Sequence, residues 1–319
     1  MSQSPNEAHR VDIGTNVRLA VIGECMVELS NCESSAYLLG YGGDTLNTAI
    51  YFARCDGEVE YITALSDDIF SSKMLESWRS EGVGIEHVKI IPNTVPGLYL
   101  IENDDQGERH FHYWRANSPA RALLDEFPEI LSELDKYDAI FLSGITLSLY
   151  SASARRRLFE YLRHFRASGG LVVFDNNYRA KNWSSISEAV EAFGEIMGIT
   201  DIALLSMEDE IALYGPHSIT SCTTRWLEKS ATEVIVKNGA EGIHLADPTD
   251  TVFFDVPNVV SPVDTTAAGD SFNGAFLAAR AKGYSLERCI RAGQFCAAQV
   301  IMHTGAIVDK DIPLIEGEL

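Results

Sequence analysis

What the chain lacks narrows the field first. None of its 319 residues belongs to an apolar run approaching the roughly 20 that a membrane-spanning helix needs. The first sixteen residues, MSQSPNEAHRVDIGTN, have no apolar core of the kind a signal peptide carries, so 1–16 reads as a flexible tail. Six cysteines show neither a C-x-x-C spacing nor clustered histidine partners, which leaves a zinc site and a disulfide framework unsupported. A reducing cytoplasm is the expected setting. Positive charge is scarce: 25 Lys and Arg against 46 Asp and Glu give a net charge of −21, which argues against nucleic acid as a partner. Also missing are the G-x-x-x-x-G-K-[ST] loop, G-x-G-x-x-G, H-E-x-x-H and G-x-S-x-G, so dinucleotide dehydrogenases and serine hydrolases lose their main support.

What is present is a 46% hydrophobic chain in which short apolar strands alternate with amphipathic helices. Strands are predicted at 17–23, 61–66, 137–144, 171–177, 201–206 and 232–239. Helices are predicted at 44–55, 67–82 and 151–170, with two more from 269 onward. The alternation implies an α/β fold with a mainly parallel sheet flanked by helices. Two segments, about 24–43 and 95–115, break it. The second reads as a hairpin around the turn NDDQGE, and together they suggest a small β-layer, a lid on a single unit spanning 17–319. ARRR (154–157) reads as a solvated helix face. His110 and His112 share one strand face with no third ligand nearby, so they suggest no metal site.

The most informative stretch is DTTAAGDSFNGAFL, from Asp264 to Leu277. Ala267, Ala268 and Gly269 let backbone approach a ligand closely, and the helix that follows aims unpaired N–H groups at the same spot. This makes an anion hole suited to phosphate. Asp270 stands at its edge. Read alone, Asp270 is more simply a helix-capping acid; the motif around it is what points to chemistry.

The stretch resembles the C-terminal signature of the ribokinase-like carbohydrate kinases, the PfkB family. GGDTLNTAIYFAR (42–54) is similar to that family's glycine-pair and asparagine signature, and VKNGAEG (236–242) to its nucleotide-loop motif. The three occur in the family's order, and the likeness covers nearly the whole chain beyond the tail. VIGECMVELS (21–30), PGLYLIENDDQGERHFHYWR (96–115) and VFDNNYRAKNW (173–183) resemble members that act on a keto-sugar acid.

The resemblance implies a ribokinase-like fold and an ATP-dependent kinase that needs Mg²⁺, because the triphosphate charge must be neutralised. It implies that Asp270 is the catalytic base. Lys237, Gly239, Gly242 and Ser206 would border ATP. Gly42, Gly43, Asp44, Asn47, Tyr99, Tyr113, Arg115 and Arg179 would bind the sugar, the two glycines leaving room for a hydroxylated ligand and Arg115 meeting its carboxylate. Asp44 also reads as a helix cap. Two departures are visible. Ala267 replaces the usual first glycine, so the loop is expected to take a conformation alanine allows. SMED (206–209) replaces an Asn-x-x-Glu motif, leaving Asp209 as the residue that organises Mg²⁺ through water. Asp264 and Thr266 mark where the family places a monovalent cation, K⁺. The expected partners are a small sugar acid and ATP, with neither nucleic acid nor membrane, and a homo-oligomer formed through the lid. The alternatives are a fructokinase or another keto-sugar kinase of the family, and a catalytically silent sugar-binding regulator.

Overall fold

A computed structural model describes residues 16–31, 36–103, 109–257 and 259–315. All but Asn16 of the expected tail, and Asp104–Glu108 of the NDDQGE turn, lie outside them.

The chain opens with β1 (Arg18–Ile22), β2 (Met26–Asn31) and β3 (Tyr37–Gly42), then α1 (Asp44–Arg54), β4 (Glu58–Leu65), α2 (Ile69–Ser80) and β5 (Val88–Ile90). Next come β6 (Leu98–Asn103), β7 (Arg109–Trp114), α3 (Pro119–Glu126), β8 (Ala139–Ser143), α4 (Gly144–Leu149) and α5 (Ala152–Ala167). Then follow β9 (Leu171–Asp175), α6 (Ile186–Met197), β10 (Ile202–Ser206), α7 (Met207–Tyr214), α8 (Ile219–Leu227) and β11 (Glu233–Lys237). The antiparallel strands β12 (Ile243–Ala246) and β13 (Thr251–Phe254) precede α9 (Ala268–Ala281) and α10 (Leu286–Val300).

Nine strands form one sheet in the order β13-β12-β11-β10-β9-β8-β1-β4-β5, parallel from β11 to β5. Its central strands read as unbroken apolar runs because helices cover both faces. In β1, Leu19 and Val21 join the core under α1, α9 and α10, whereas Ala20 and Ile22 join the core under α3, α5 and α6. The parallel register sets the ends of four strands side by side, with Ser143 opposite Asp175 and Ser206 opposite Lys237. Open parallel sheets bind ligands at such carboxyl ends.

The two segments that broke the alternation do pair, as a separate sheet ordered β3-β2-β6-β7. Its β2–β6 pair is parallel and the two outer pairs are antiparallel. Tyr37, Leu38, Leu39, Phe111, Tyr113 and Trp114 on its outer strands are exposed.

Three local expectations need correcting. The helix expected over 151–170 is α5 alone, capped by the Ser151 hydroxyl, with the short α4 just before it. Within ARRR, Arg155 is buried rather than solvated; it donates to the Tyr150 carbonyl at 2.9 Å and pairs with Glu188. The helix expected over 67–82 begins at Ile69, because the Asp68 side chain caps it through the Ser71 amide at 2.7 Å.

Candidate active site

The loop into α9 is held from behind. Both oxygens of buried Asp264 accept backbone amides, from Thr266 at 2.9 Å and from Gly305 at 2.7 Å. Ala267 then turns the chain into α9 with φ 61° and ψ 15°, the left-handed region. The expectation of an alanine-friendly loop therefore fails. The fold imposes on Ala267 a conformation costing an L-residue about 1–2 kcal/mol. The Ala268 amide is occupied by the Thr265 carbonyl at 3.2 Å, so Gly269 and Asp270 supply the first-turn amides aimed out of the helix.

Asp270 lies in the first turn of α9 and accepts a 2.8 Å hydrogen bond from Asn47 Nδ2 of α1. The two helices approach this closely because a Cβ on Gly274 would stand only 2.7 Å from the Thr48 carbonyl. Burial, then the nearby carboxylates Asp44 and Asp175, hold the Asp270 carboxyl well above the usual range for aspartate, against the pull of Asn47 and Lys237. Asp44 is raised too, by burial first. The cap of α1 is Gly43 rather than Asp44, which instead accepts from Asn177 Nδ2 at 2.9 Å.

Behind Asp270 stands a closed network. Asp175 Oδ2, at the end of β9, accepts from Lys237 Nζ at 3.3 Å and from Asn273 Nδ2, while Asn273 Oδ1 accepts from Lys237 at 2.9 Å. The signal for Asp175, Asn177 and Asn273 was present but unused: an Asp-Asn-Asn run at a strand end, and an asparagine three residues, about one helical turn, after the candidate base.

At the end of β10, between β9 and β11, Ser206 exchanges two 2.9 Å hydrogen bonds between its backbone and the Asn176 side chain. Its hydroxyl caps α7. Asp209, in the first turn of α7, is bridged at 2.8 Å by Arg179. Burial raises its pKa to about 6, with Arg179 opposing. Gly239 (φ 54°) and Gly242 (φ 111°) both take left-handed geometry in the loop after β11. Glu210, His217 and Cys222 come together between α7 and α8, but Arg225 at 2.6 Å and Trp226 at 3.0 Å already occupy the Glu210 carboxylate, so the group ties the two helices together.

At the small sheet, the space beside Gly42 and Gly43 is filled by protein rather than left open. A Cβ on Gly42 would collide with the Tyr99 hydroxyl, and one on Gly43 with the Glu24 carbonyl. Tyr99 donates to Glu28. Tyr113 faces Tyr99 in register; partial desolvation raises its pKa, against the charges of Arg115 and Arg179, and Asp44 adds to the rise. Arg115 is ion-paired to the buried carboxylate of Glu24, whose other oxygen accepts the Ser118 hydroxyl. Sequence reasoning missed Glu24 and Arg121. The half-buried Arg121 guanidinium has its pKa lowered by burial and then by Arg115, against Glu24.

The profile of the pfkB family carbohydrate kinases matches residues 17–313. The chain is 41% identical over 304 residues to 2-dehydro-3-deoxygluconokinase of Escherichia coli K12, covering 92% of this chain and 98% of that one. The enzyme of the same name from Dickeya dadantii is also 41% identical, with 92% and 97% covered. A crystal structure described as a ribokinase II of E. coli with ATP and Mg²⁺ superposes with a TM-score of 0.80 at 22% identity, covering 91% of this chain and 94% of that one. The α/β fold with its separate small sheet is therefore ribokinase-like.

Proposed function

The chain belongs to the pfkB family of carbohydrate kinases, and on that premise we propose that it phosphorylates 2-keto-3-deoxygluconate (2-dehydro-3-deoxygluconate). The γ-phosphoryl group of ATP goes to the 6-hydroxyl, giving 2-keto-3-deoxy-6-phosphogluconate and ADP. The observation that carries the chemistry is Asp270, a partly buried carboxyl of raised proton affinity beside the first-turn amides of α9. A base in that state takes the proton from the attacking hydroxyl more readily than an ordinary aspartate does. The Gly269 and Asp270 amides and the Lys237 ammonium stand where they would stabilise charge on the transferring phosphoryl group. Lys237, Gly239, Gly242 and Ser206 border the nucleotide in this reading.

Mg²⁺ would neutralise triphosphate charge. Asp209 suits it as a hard oxygen donor, half-engaged by Arg179 and ionised at pH 7 with a pKa near 6. A monovalent cation near Asp264 and Thr266 would have to use backbone carbonyls, since both Asp264 oxygens already accept amides. Greater activity in KCl than in equal NaCl is the result expected of such a site.

Asp44, Asn47, Tyr99, Tyr113, Arg115 and Arg179 line the sugar side in this reading, and the small sheet closes over it as a lid that excludes water. Among Glu24, Arg115 and Arg121, one of two guanidinium charges stays uncompensated, which supports an anionic sugar. A second reading, a fructokinase, draws support from the same Glu24, because it neutralises the Arg115 that a sugar carboxylate would use. The lid's exposed aromatic and aliphatic residues suit a homo-oligomer, and the chain works in the cytoplasm on this view. Among the described residues no helix is long and apolar enough to cross a membrane. Release of ADP, followed against a panel of sugars and sugar acids, tests the proposal. No turnover with any of them would leave a sugar-binding regulator instead.

A further inference from the structure

We propose that Asp175 is a positioning residue for phosphoryl transfer, acting through Lys237 and Asn273 on the nucleotide side and through Asn177 on the sugar side. The inference rests on the kinase reading but not on which sugar is used.

Asp175 is 5% exposed at the end of a central strand, and both of its oxygens are engaged. Oδ2 closes the ring with Lys237 and Asn273, tying β9 and β11 to α9 one turn behind Asp270. Because Asn273 follows Asp270 by three positions, fixing it fixes the rotation of α9, and with it the direction of the base and the first-turn amides. The ring also fixes Lys237. A Cβ on Gly269 would sit 3.6 Å from Lys237 Nζ, so the space beside this glycine opens directly onto the ammonium. Two of the three N–H groups of Lys237 are held by the ring, leaving one for a phosphate oxygen.

Oδ1 accepts the Asn177 backbone N–H at 3.1 Å, a donor it shares with Asn176 Oδ1 at 3.0 Å. That turn carries the Asn177 side chain, which donates to Asp44, and then Arg179, which bridges to Asp209. One buried carboxylate thus holds the cation wall of the anion hole and the turn that reaches the sugar side. A bridge serving stability alone is a poor use of a buried charge, since well-packed apolar groups of similar volume often do as well or better.

The test is Asp175→Asn, nearly isosteric and without the charge. Charged groups acting on Asp270 come from α1 (Asp44), β9 (Asp175), the turn after it (Arg179) and β11 (Lys237). Removing a like charge should move the acid limb of kcat/KM to lower pH. A kcat drop of about tenfold or more is expected, matching the loss of one charge-assisted hydrogen bond. ADP binding by calorimetry should weaken, and the kcat/KM ratio of sugar acid to fructose should stay within about twofold of wild type, since Asp175 reaches the sugar side only through Asn177 and meets no substrate carboxylate itself. Unchanged kcat with an unmoved acid limb overturns the proposal, as does a loss that merely follows a lowered Tm. If Asp175→Asn yields no soluble protein, Asn273→Ser decides: it should lower kcat with the acid limb in place, and wild-type kcat in that variant contradicts the ring's role. Wild-type protein that turns over no sugar would instead defeat the kinase reading itself.

Discussion

The two ends of the site are built differently. Around Asp270 the polar side chains are buried and bonded to one another: Asn47 is 4% exposed, Asp175 5% and Asn273 0%, drawn from α1, β9 and α9. On the small sheet, Tyr113 is 47% exposed and Trp114 61%, and the cation expected to read the substrate is engaged by a carboxylate of its own chain. An end that moves a phosphoryl group, as proposed here, depends on donors held at fixed positions before the substrate arrives, and the ends of parallel strands supply such positions. The end proposed to recognise a sugar sits on a separate sheet whose side chains can change without disturbing the core. Chemistry and specificity should therefore fail separately.

Asp270→Asn breaks the chemical end and should have the largest effect. Turnover should fall by roughly 10²–10⁴-fold or more for every sugar accepted, with ADP binding retained. Near-normal turnover in that variant would remove Asp270 from its role. Arg115→Ala addresses the other end. It should reduce kcat/KM for the sugar acid by roughly 10- to 150-fold, the worth of a charge-assisted hydrogen bond, and reduce that for fructose far less. Equal losses on both sugars would make Arg115 a structural partner of Glu24 and nothing more.

Two further outcomes concern energy stored at the chemical end. Since the folded-state pKa of Asp270 is raised, the ionised form is unfavourable in the fold, and stability present at low pH is lost as pH rises through that pKa. Asp270→Asn should thus have a higher Tm than wild type at pH 8, with the gap closing on acidification. In activity the sign is the opposite: the base must be ionised, so wild-type kcat/KM should fall with decreasing pH already above the ordinary aspartate range. The smallest effect is expected from Ala267→Gly, which relieves the left-handed strain against the added backbone entropy of glycine. A net gain of about 0.5–1 kcal/mol corresponds to a Tm rise of about 1–2 °C.

Legibility in the sequence follows the same division. The six inner strands of the main sheet could be read because a strand buried on both faces is largely apolar, as in IALLS at 202–206, whereas the outer strands β5, β12 and β13 went unread. Asp270 could be singled out because the small residues and helix start beside it in sequence also lie beside it in the fold. The ring behind it could not, since Asn273 and Asp175 lie 98 positions apart and only the sheet brings them together. Glu24 was silent for the same reason: nothing local marks it as the partner of Arg115. The positive φ of Ala267 was hidden because the loop anchored by Asp264 and Gly305 overrides the preference of alanine. Gly42 and Gly43 were expected to leave room for a ligand, but Tyr99 and the Glu24 backbone fill that room, contacts no local pattern announces.

Substrate preference is the most direct test. In wild-type protein, kcat/KM measured by ADP release should be at least about tenfold higher for 2-keto-3-deoxygluconate than for fructose, the minimum expected of a carboxylate contact. Equal values, or a preference for fructose, would contradict it and make the chain a fructokinase.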